Sequence, residues 1–394
     1  MSLDRRAGAP AAPLAGVRVV DFSRLLPGAF CTLLLSDLGA EVIKVEHPRG
    51  GDGLRGAAPF THTGESGAHV VLDRGKRSIT LDLKSDDGVR IARALIGTGD
   101  VVVESFRPGT FDRLGLGWTW SSEHAPRVVL ASISAYGASG PESTRSGHDL
   151  NALAVAGVLS LTGSPSPTGG QSADVLSGAL AAVGIVAALR EREQTGTGRH
   201  VDAALADAAS ATVVLAAAQY RASGHAPAPG GPLVGGLACY GTYACADGRH
   251  LAVGALEPVL FTRVCTVLGR PDLADSQYDP TAQSDLRQVL AEQFGTRSRD
   301  AWVEQFAGVD AAVTPVLDVG EAWARVESSG RTVVPADLVD GTEIAVPGDF
   351  VHLLGAGSRP ATAAPALGGD TVAVLAELGY SSADVERLRR DEVV

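Results

Sequence analysis

An α/β fold built on a mostly parallel sheet is what this sequence predicts, and three observations predict it. Runs rich in β-branched residues (17–22, 41–46, 100–104 and 128–134) have the composition of buried strands. Segments of helical character fall between them. No repeat of solenoid period runs through the chain. Strands alternating with helices imply parallel pairing through crossover connections.

The elements follow in order. Residues 17–22 read as a strand, 23–28 as a loop, 29–38 as a helix and 41–46 as a second strand. The pattern recurs with a strand at 78–83, a helix at 86–96 and strands at 100–104 and 128–134. Residues 149–220 read as mainly helical and Ala-rich, interrupted by a Pro/Gly/Ser loop at 163–172. Residues 223–236 have the Pro/Gly composition of a linker. Residues 241–256 read as a hairpin with Asp247-Gly248 at its turn. Helices follow to about Arg325, then an irregular stretch at 333–365. Two short C-terminal helices close the chain, the second starting near Ser382.

The 394 residues carry 33 Lys+Arg and 45 Asp+Glu, a net charge of −12, which argues against general nucleic-acid or anionic-membrane binding. A small anion held in a local basic pocket stays open. A chain this long usually forms more than one core. Cys31, Cys239, Cys245 and Cys265 show neither a CxxC pair nor zinc-site spacing and read as buried free thiols. Residues 1–13 lack an apolar segment, so no signal peptide is expected. The apolar run 175–189 is shorter than the ~20 residues that span a bilayer. The expectation is a soluble cytoplasmic protein with no metal.

Five places can carry chemistry. The loop after the first strand, Ser23-Arg24-Leu25-Leu26-Pro27-Gly28, lacks GxGxxG, so Glu46 is weakly supported as a ribose-binding acid. Arg74, Lys76, Arg77, Lys84 and Arg107 form either an anion site or a solvated strand edge. In Gly147-His148-Asp149, Asp149 can cap the following helix. The positive end of a helix favours a neutral imidazole, the form a general base needs, and the alternative is a bystander histidine. Asp174, between a Gly/Ser-rich loop and an apolar helix, is either an N-cap or a functional carboxylate. Glu257, after the apolar run 250–256, is either catalytic or simply solvated. GxSxG, HExxH and the P-loop motif are absent.

Together these segments resemble the class III CoA-transferase (CaiB/BaiF) family, and within it the α-methylacyl-CoA racemase branch. The matching stretches are PLAGVRVV (13–20), DLGAEVIKVE (37–46), GKRSITLDLK (75–84), FRPG (106–109) and GHDLN (147–151). TGRHVD (197–202), ADG (246–248), GALEP (254–258) and DAAVTPV (310–316) complete the set, from about Pro13 to Tyr380. The resemblance implies a Rossmann-like large domain with a smaller α+β domain, in an interlocked homodimer. The large domain would take 1–222 and the returning tail 329–394, with a linker at 223–235 and the small domain at 236–328. It further implies an acyl-CoA substrate, with no cofactor beyond its CoA moiety. The CoA contacts it implies are His47, Leu81, Lys84, Arg107, Gly137 and Asp149, and the basic cluster becomes a site for CoA phosphates. His47 stands where racemases often carry Arg.

The two branches of the family share an aspartate at the position of Asp174. It is the nucleophile in the transferases and an acid/base group in the racemases. His148 and Glu257 are the racemase additions, so the resemblance implies proton transfer at the α-carbon of a 2-methylacyl-CoA-type thioester. His148, steadied by Glu257, would serve one face and Asp174 the other, with helix N–H groups near Asp174 holding the enolate oxygen. The alternative is CoA transfer between carboxylic acids with Asp174 as nucleophile. Four features depart from the racemase pattern: Gly170 in place of Asn, Ala152 in place of Tyr, Val234 in place of Asp before Gly235-Gly236, and a longer segment at 49–73 resembling the transferases. The Ala152 departure implies a thinner wall to the acyl pocket.

Overall fold

The β-branched runs become six strands: β1 Arg18–Asp21, β2 Glu41–Glu46, β3 Arg77–Thr80, β4 Val101–Glu104, β5 Val129–Ser134 and β6 His200–Ala204. The computed structural model describes residues 12–353 and 363–394. Nearly all of the expected N-terminal segment 1–13, and part of the irregular stretch 333–365, lie outside them. The strands form one parallel sheet in the order β3-β2-β1-β4-β5-β6, the order of a Rossmann-type sheet, which reverses between β1 and β4.

Alternation sorts each strand between two helical layers. Val20, Phe22, Ile43, Val45, Ile79, Val102 and Leu130 share one core with Ile91, Leu95 and Ile96 of the helix Asp86–Thr98. The C-terminal Val374, Leu375, Val385 and Leu388 join the same core, so the tail returns to this sheet. On the other face Asp21 accepts from Thr32 Oγ1 at 2.8 Å, within the helix Leu25–Asp37. That helix packs closely on the helix Ser172–Thr195, where a Cβ on Gly178 would stand 2.4 Å from the Pro27 carbonyl oxygen. The helix Ser172–Thr195 is 24 residues long, enough by length and composition to cross a membrane, and 44% of its apolar window is buried in the fold.

The chain divides into two compact units. One comprises 12–156, 168–212 and the described residues of 326–394, and the other 157–167 and 213–325. The longer segment of the second unit begins at Val213, where non-helical backbone separates the helices Leu205–Thr212 and Val214–Ser223, ahead of the composition shift at 223. Its sheet is antiparallel, with the hairpin Tyr240–Ala244 and His250–Gly254 extended by Val313–Pro315. The helices Pro258–Val267, Gln283–Phe294 and Arg299–Gln305 cover it around Phe261, Leu290, Phe294 and Trp302. All four cysteines are buried free thiols.

Three element readings need correction. The first helix begins at Leu25, not 29, because Pro27 falls within its first turn, where a missing N–H costs nothing. β6 was submerged in an Ala-rich helical reading, yet it pairs with β5 from His200 to Ala204. The irregular stretch contains a hairpin, Val333–Asp337 with Glu343–Pro347, that buries Ala336 and Val346 against Val70.

Candidate active site

The reversal between β1 and β4 opens a crevice at the carboxyl ends of the strands, where ligands of such sheets bind. A cavity of about 200 Å³ lies there, lined by Phe22, Val45, His47, Leu81, Lys84 and Phe106 among others. Arg24 stands at its edge, its guanidinium 5.6 Å from the Phe106 ring centroid. An adjoining cavity of about 440 Å³ shares His47, Asp82 and Lys84 and adds Arg49 and Arg389 from opposite ends of the chain. An apolar slot rimmed by cations suits a flat ring joined to phosphates. Leu81 is buried, its N–H bonded to the Glu46 carbonyl at 2.8 Å, while Lys84 is exposed. His47 Nδ1 accepts from the Arg49 N–H at 3.0 Å.

Most of the expected basic cluster is elsewhere. Arg74 pairs with Asp37 at 2.7 Å and Arg77 with Glu41 and Glu377 at 2.7 Å each. Lys76 is buried, 2.8 Å from Asp73 and 3.6 Å from Asp21. Neighbouring Lys44, also buried, lies 2.9 Å from Asp52. These cations neutralise carboxylates inside the fold, leaving only Lys84 and Arg107 of the five beside the cavities. Glu46 is spoken for as well, by Ser78 at 2.6 Å and by Arg55 at 2.6 Å, the latter pair also anchoring the long segment 49–73. Arg24, Arg49 and Arg389 were missed, because isolated arginines in a loop and a tail carry no motif.

A third hollow, of about 230 Å³, follows β4 and β5 and is lined by Phe106, Arg107, Ser134, Ser146 and His148 among others. Arg107 donates to Ser146 Oγ at 2.8 Å. Gly137 lies in the loop after β5 with φ +89°, beside Ala138, whose N–H donates to Asp202. His148 is the exposed N-cap of the helix Asp149–Val155, its N–H bonded to Asn151 Oδ1 at 3.1 Å.

Asp149 does not cap its own helix. Its Oδ1 accepts the N–H groups of Ala173 at 2.7 Å and Asp174 at 3.4 Å, capping the helix Ser172–Thr195 across space. Asp174 is therefore the third residue of that helix rather than its cap. Two consequences follow. The N–H groups expected to hold an enolate oxygen already donate to Asp149. And Asp174, half-buried, has its carboxyl pushed up to about 6, first by burial and then by the Asp149 charge, against an opposing pull from His148. A carboxyl titrating there exchanges protons readily near neutrality.

Two of the departures also have a place. Gly170 is exposed, with open space where a Cβ would stand. Ala152 is buried, 1% exposed. In the second unit Glu257 is the exposed N-cap of the helix Pro258–Val267, and its side chain does not cap that helix.

A family model described as CoA-transferase family III matches residues 14–371. The α-methylacyl-CoA racemase of Mus musculus is 34% identical over 97% of this chain and 97% of its own. The succinyl-CoA–L-malate CoA-transferase beta subunit of Chloroflexus aurantiacus is 32% identical over 97% of this chain and 98% of its own. Among solved structures, a CAIB/BAIF family protein from Brucella suis superposes with a TM-score of 0.82 at 29% identity, covering 94% of this chain and all of its own.

Proposed function

The chain belongs to CoA-transferase family III, and from that premise we propose that it is an acyl-CoA racemase, inverting the α-carbon of a 2-methylacyl-CoA-type thioester. The observation that carries this reading is the Asp174 carboxyl, held near 6 by burial and the Asp149 charge, beside the turn that bears the exposed His148. Inversion needs a base on one face of the carbon and an acid on the other. One of the pair takes the α-proton, and the C–H electrons move into the thioester carbonyl to give an enolate. The other returns a proton to the opposite face, and either direction leaves the enzyme with the same total of protons. Glu257 is the third catalytic residue in this reading. Arg24, His47, Leu81, Lys84 and Arg107 bind the CoA moiety, and a homodimer is the expected assembly.

The similarity to the Chloroflexus transferase and the anchored 49–73 segment favour a second reading. There the Asp174 carboxylate attacks the thioester carbonyl, forming a mixed anhydride and releasing CoA thiolate. His148→Ala separates the two. The racemase reading predicts a fall in α-proton exchange of ~10²-fold or more. Retained acyl-CoA turnover with a free-acid acceptor in that variant contradicts the reading.

A further inference from the structure

We infer that Gln277 is a positioning residue for Glu257, an inference that rests on the role proposed for Glu257 above. Glu257 joins the strand His250–Gly254 to the helix Pro258–Val267 through Ala255 and Leu256. The backbone is tied on both sides of it. Upstream, the Gly254 N–H donates to the Ala312 carbonyl and the Ala255 N–H to the Cys239 carbonyl, each at 2.9 Å. Downstream, Pro258 opens the helix, and the Glu257 carbonyl accepts from Leu260 at 2.9 Å and Phe261 at 3.1 Å.

The remaining two carbonyls, those of Ala255 and Leu256, are taken by one side chain. Gln277 Nε2 donates to the Ala255 oxygen at 3.0 Å and to the Leu256 oxygen at 2.8 Å. Gln277 is 4% exposed, so its amide is held in place by its surroundings. The Tyr278 hydroxyl donates to the Leu256 oxygen as well. Behind Gln277, the Gln283 Nε2 donates to the Gln277 carbonyl at 3.0 Å and to that of Asp279 at 2.9 Å. Gln283 Oε1 accepts the Ala238 N–H at 2.9 Å, closing the network on the turn that precedes the hairpin.

The Glu257 carboxyl, in contrast, makes no hydrogen bond among the described residues and is exposed. An N-cap side chain normally bonds its own helix, and this one does not. Fixing the main chain from both sides while leaving the carboxyl free is what a group reserved for reaction requires. Buried carbonyls need partners in any fold, so the test must separate positioning from simple satisfaction of the backbone.

That separation comes from a double-mutant cycle on the full-length protein. Gln277→Met keeps the length and bulk of the side chain and removes both donors. It is measured alone and on Glu257→Gln, with kcat and KM for α-proton exchange and a thermal melt for each protein. The expected result is a ~10–100-fold lower kcat with KM within about twofold, and no further loss when Gln277→Met is added to Glu257→Gln. An equal fractional loss in both backgrounds, or an unchanged kcat, overturns the inference while leaving the role of Glu257 intact. An unchanged kcat in Glu257→Gln itself overturns the reading on which the inference rests. Should Gln277→Met not fold, Tyr278→Phe removes one donor to the same carbonyl from an exposed side chain. A several-fold loss of kcat that vanishes in Glu257→Gln is then expected, and a loss that persists there overturns the inference.

Discussion

Asp149→Asn separates the two things that the Asp149 carboxylate does. An Asn oxygen accepts the same N–H groups, and Asn and Asp are near-equal helix caps. The bonds to Ala173 at 2.7 Å and Asp174 at 3.4 Å therefore survive, and only the negative charge is lost. The Asp174 carboxyl stands at about 6 against an ordinary 3.8, a rise of 6 − 3.8, or about 2, with burial the larger cause and the Asp149 charge the next. The charge is the smaller of the two raising causes, and His148 opposes both. Removing the charge moves the titration to lower pH by on the order of 1 pH unit, equivalent to ~1.4 kcal/mol. The assay is the pH profile of kcat/KM for α-proton exchange, whose acid limb reports the free enzyme's base. The limb is expected to move acidward with the melting temperature nearly unchanged. Asp149→Ala, which also strands the two N–H groups, additionally costs ~1 kcal/mol of stability. A limb that stays in place in Asp149→Asn, or moves to higher pH, refutes the coupling.

Other expectations follow from the same geometry. Because the folded-state titration of Asp174 is raised, its contribution favours the fold below the ordinary carboxylate range and turns against it as pH rises through about 6. Asp174→Asn should therefore be more stable than the parent at pH 8 by ~1–2 kcal/mol, a figure reduced for solvent screening of a half-exposed group. Melts at pH 4 and pH 8 check this, and a gain that is larger at pH 4 contradicts it. Gly178→Ala would place a Cβ 2.4 Å from the Pro27 oxygen and 3.2 Å from the Cys31 nitrogen. It should destabilise the protein by ~1–3 kcal/mol, read by urea denaturation. In an open helix the same change would stabilise by up to ~1 kcal/mol, so a gain would show that the two helices do not pack this closely.

Much of the parallel sheet was legible because its strands are written in β-branched runs that need no tertiary context. Val101, Val102 and Val103 are buried on both sides and read as a strand from composition alone. β6 was not legible, because its edge position leaves His200 and Asp202 exposed and Ala-rich helices flank it. The candidate site divides the same way. His148, Asp174 and Glu257 stood out as chemical residue types at element starts. The cap from Asp149 to Ala173 did not, since it spans 24 positions of sequence and no local rule pairs them. Arg74, Lys76 and Arg77 misled for a related reason. Charge is visible in a sequence, but the carboxylates that neutralise it, Asp37, Asp73 and Glu41, become visible only when the chain is folded.

The central claim is that Asp174 and His148 move protons at the α-carbon. Its most direct test is deuterium uptake from D₂O into a panel of 2-methylacyl-CoA thioesters, followed by mass spectrometry, with a free-carboxylate acceptor in parallel samples. The account predicts uptake without acceptor, accompanied by inversion and abolished in Asp174→Asn. Absence of uptake, with CoA passing to the acceptor, would contradict it and make Asp174 a nucleophile.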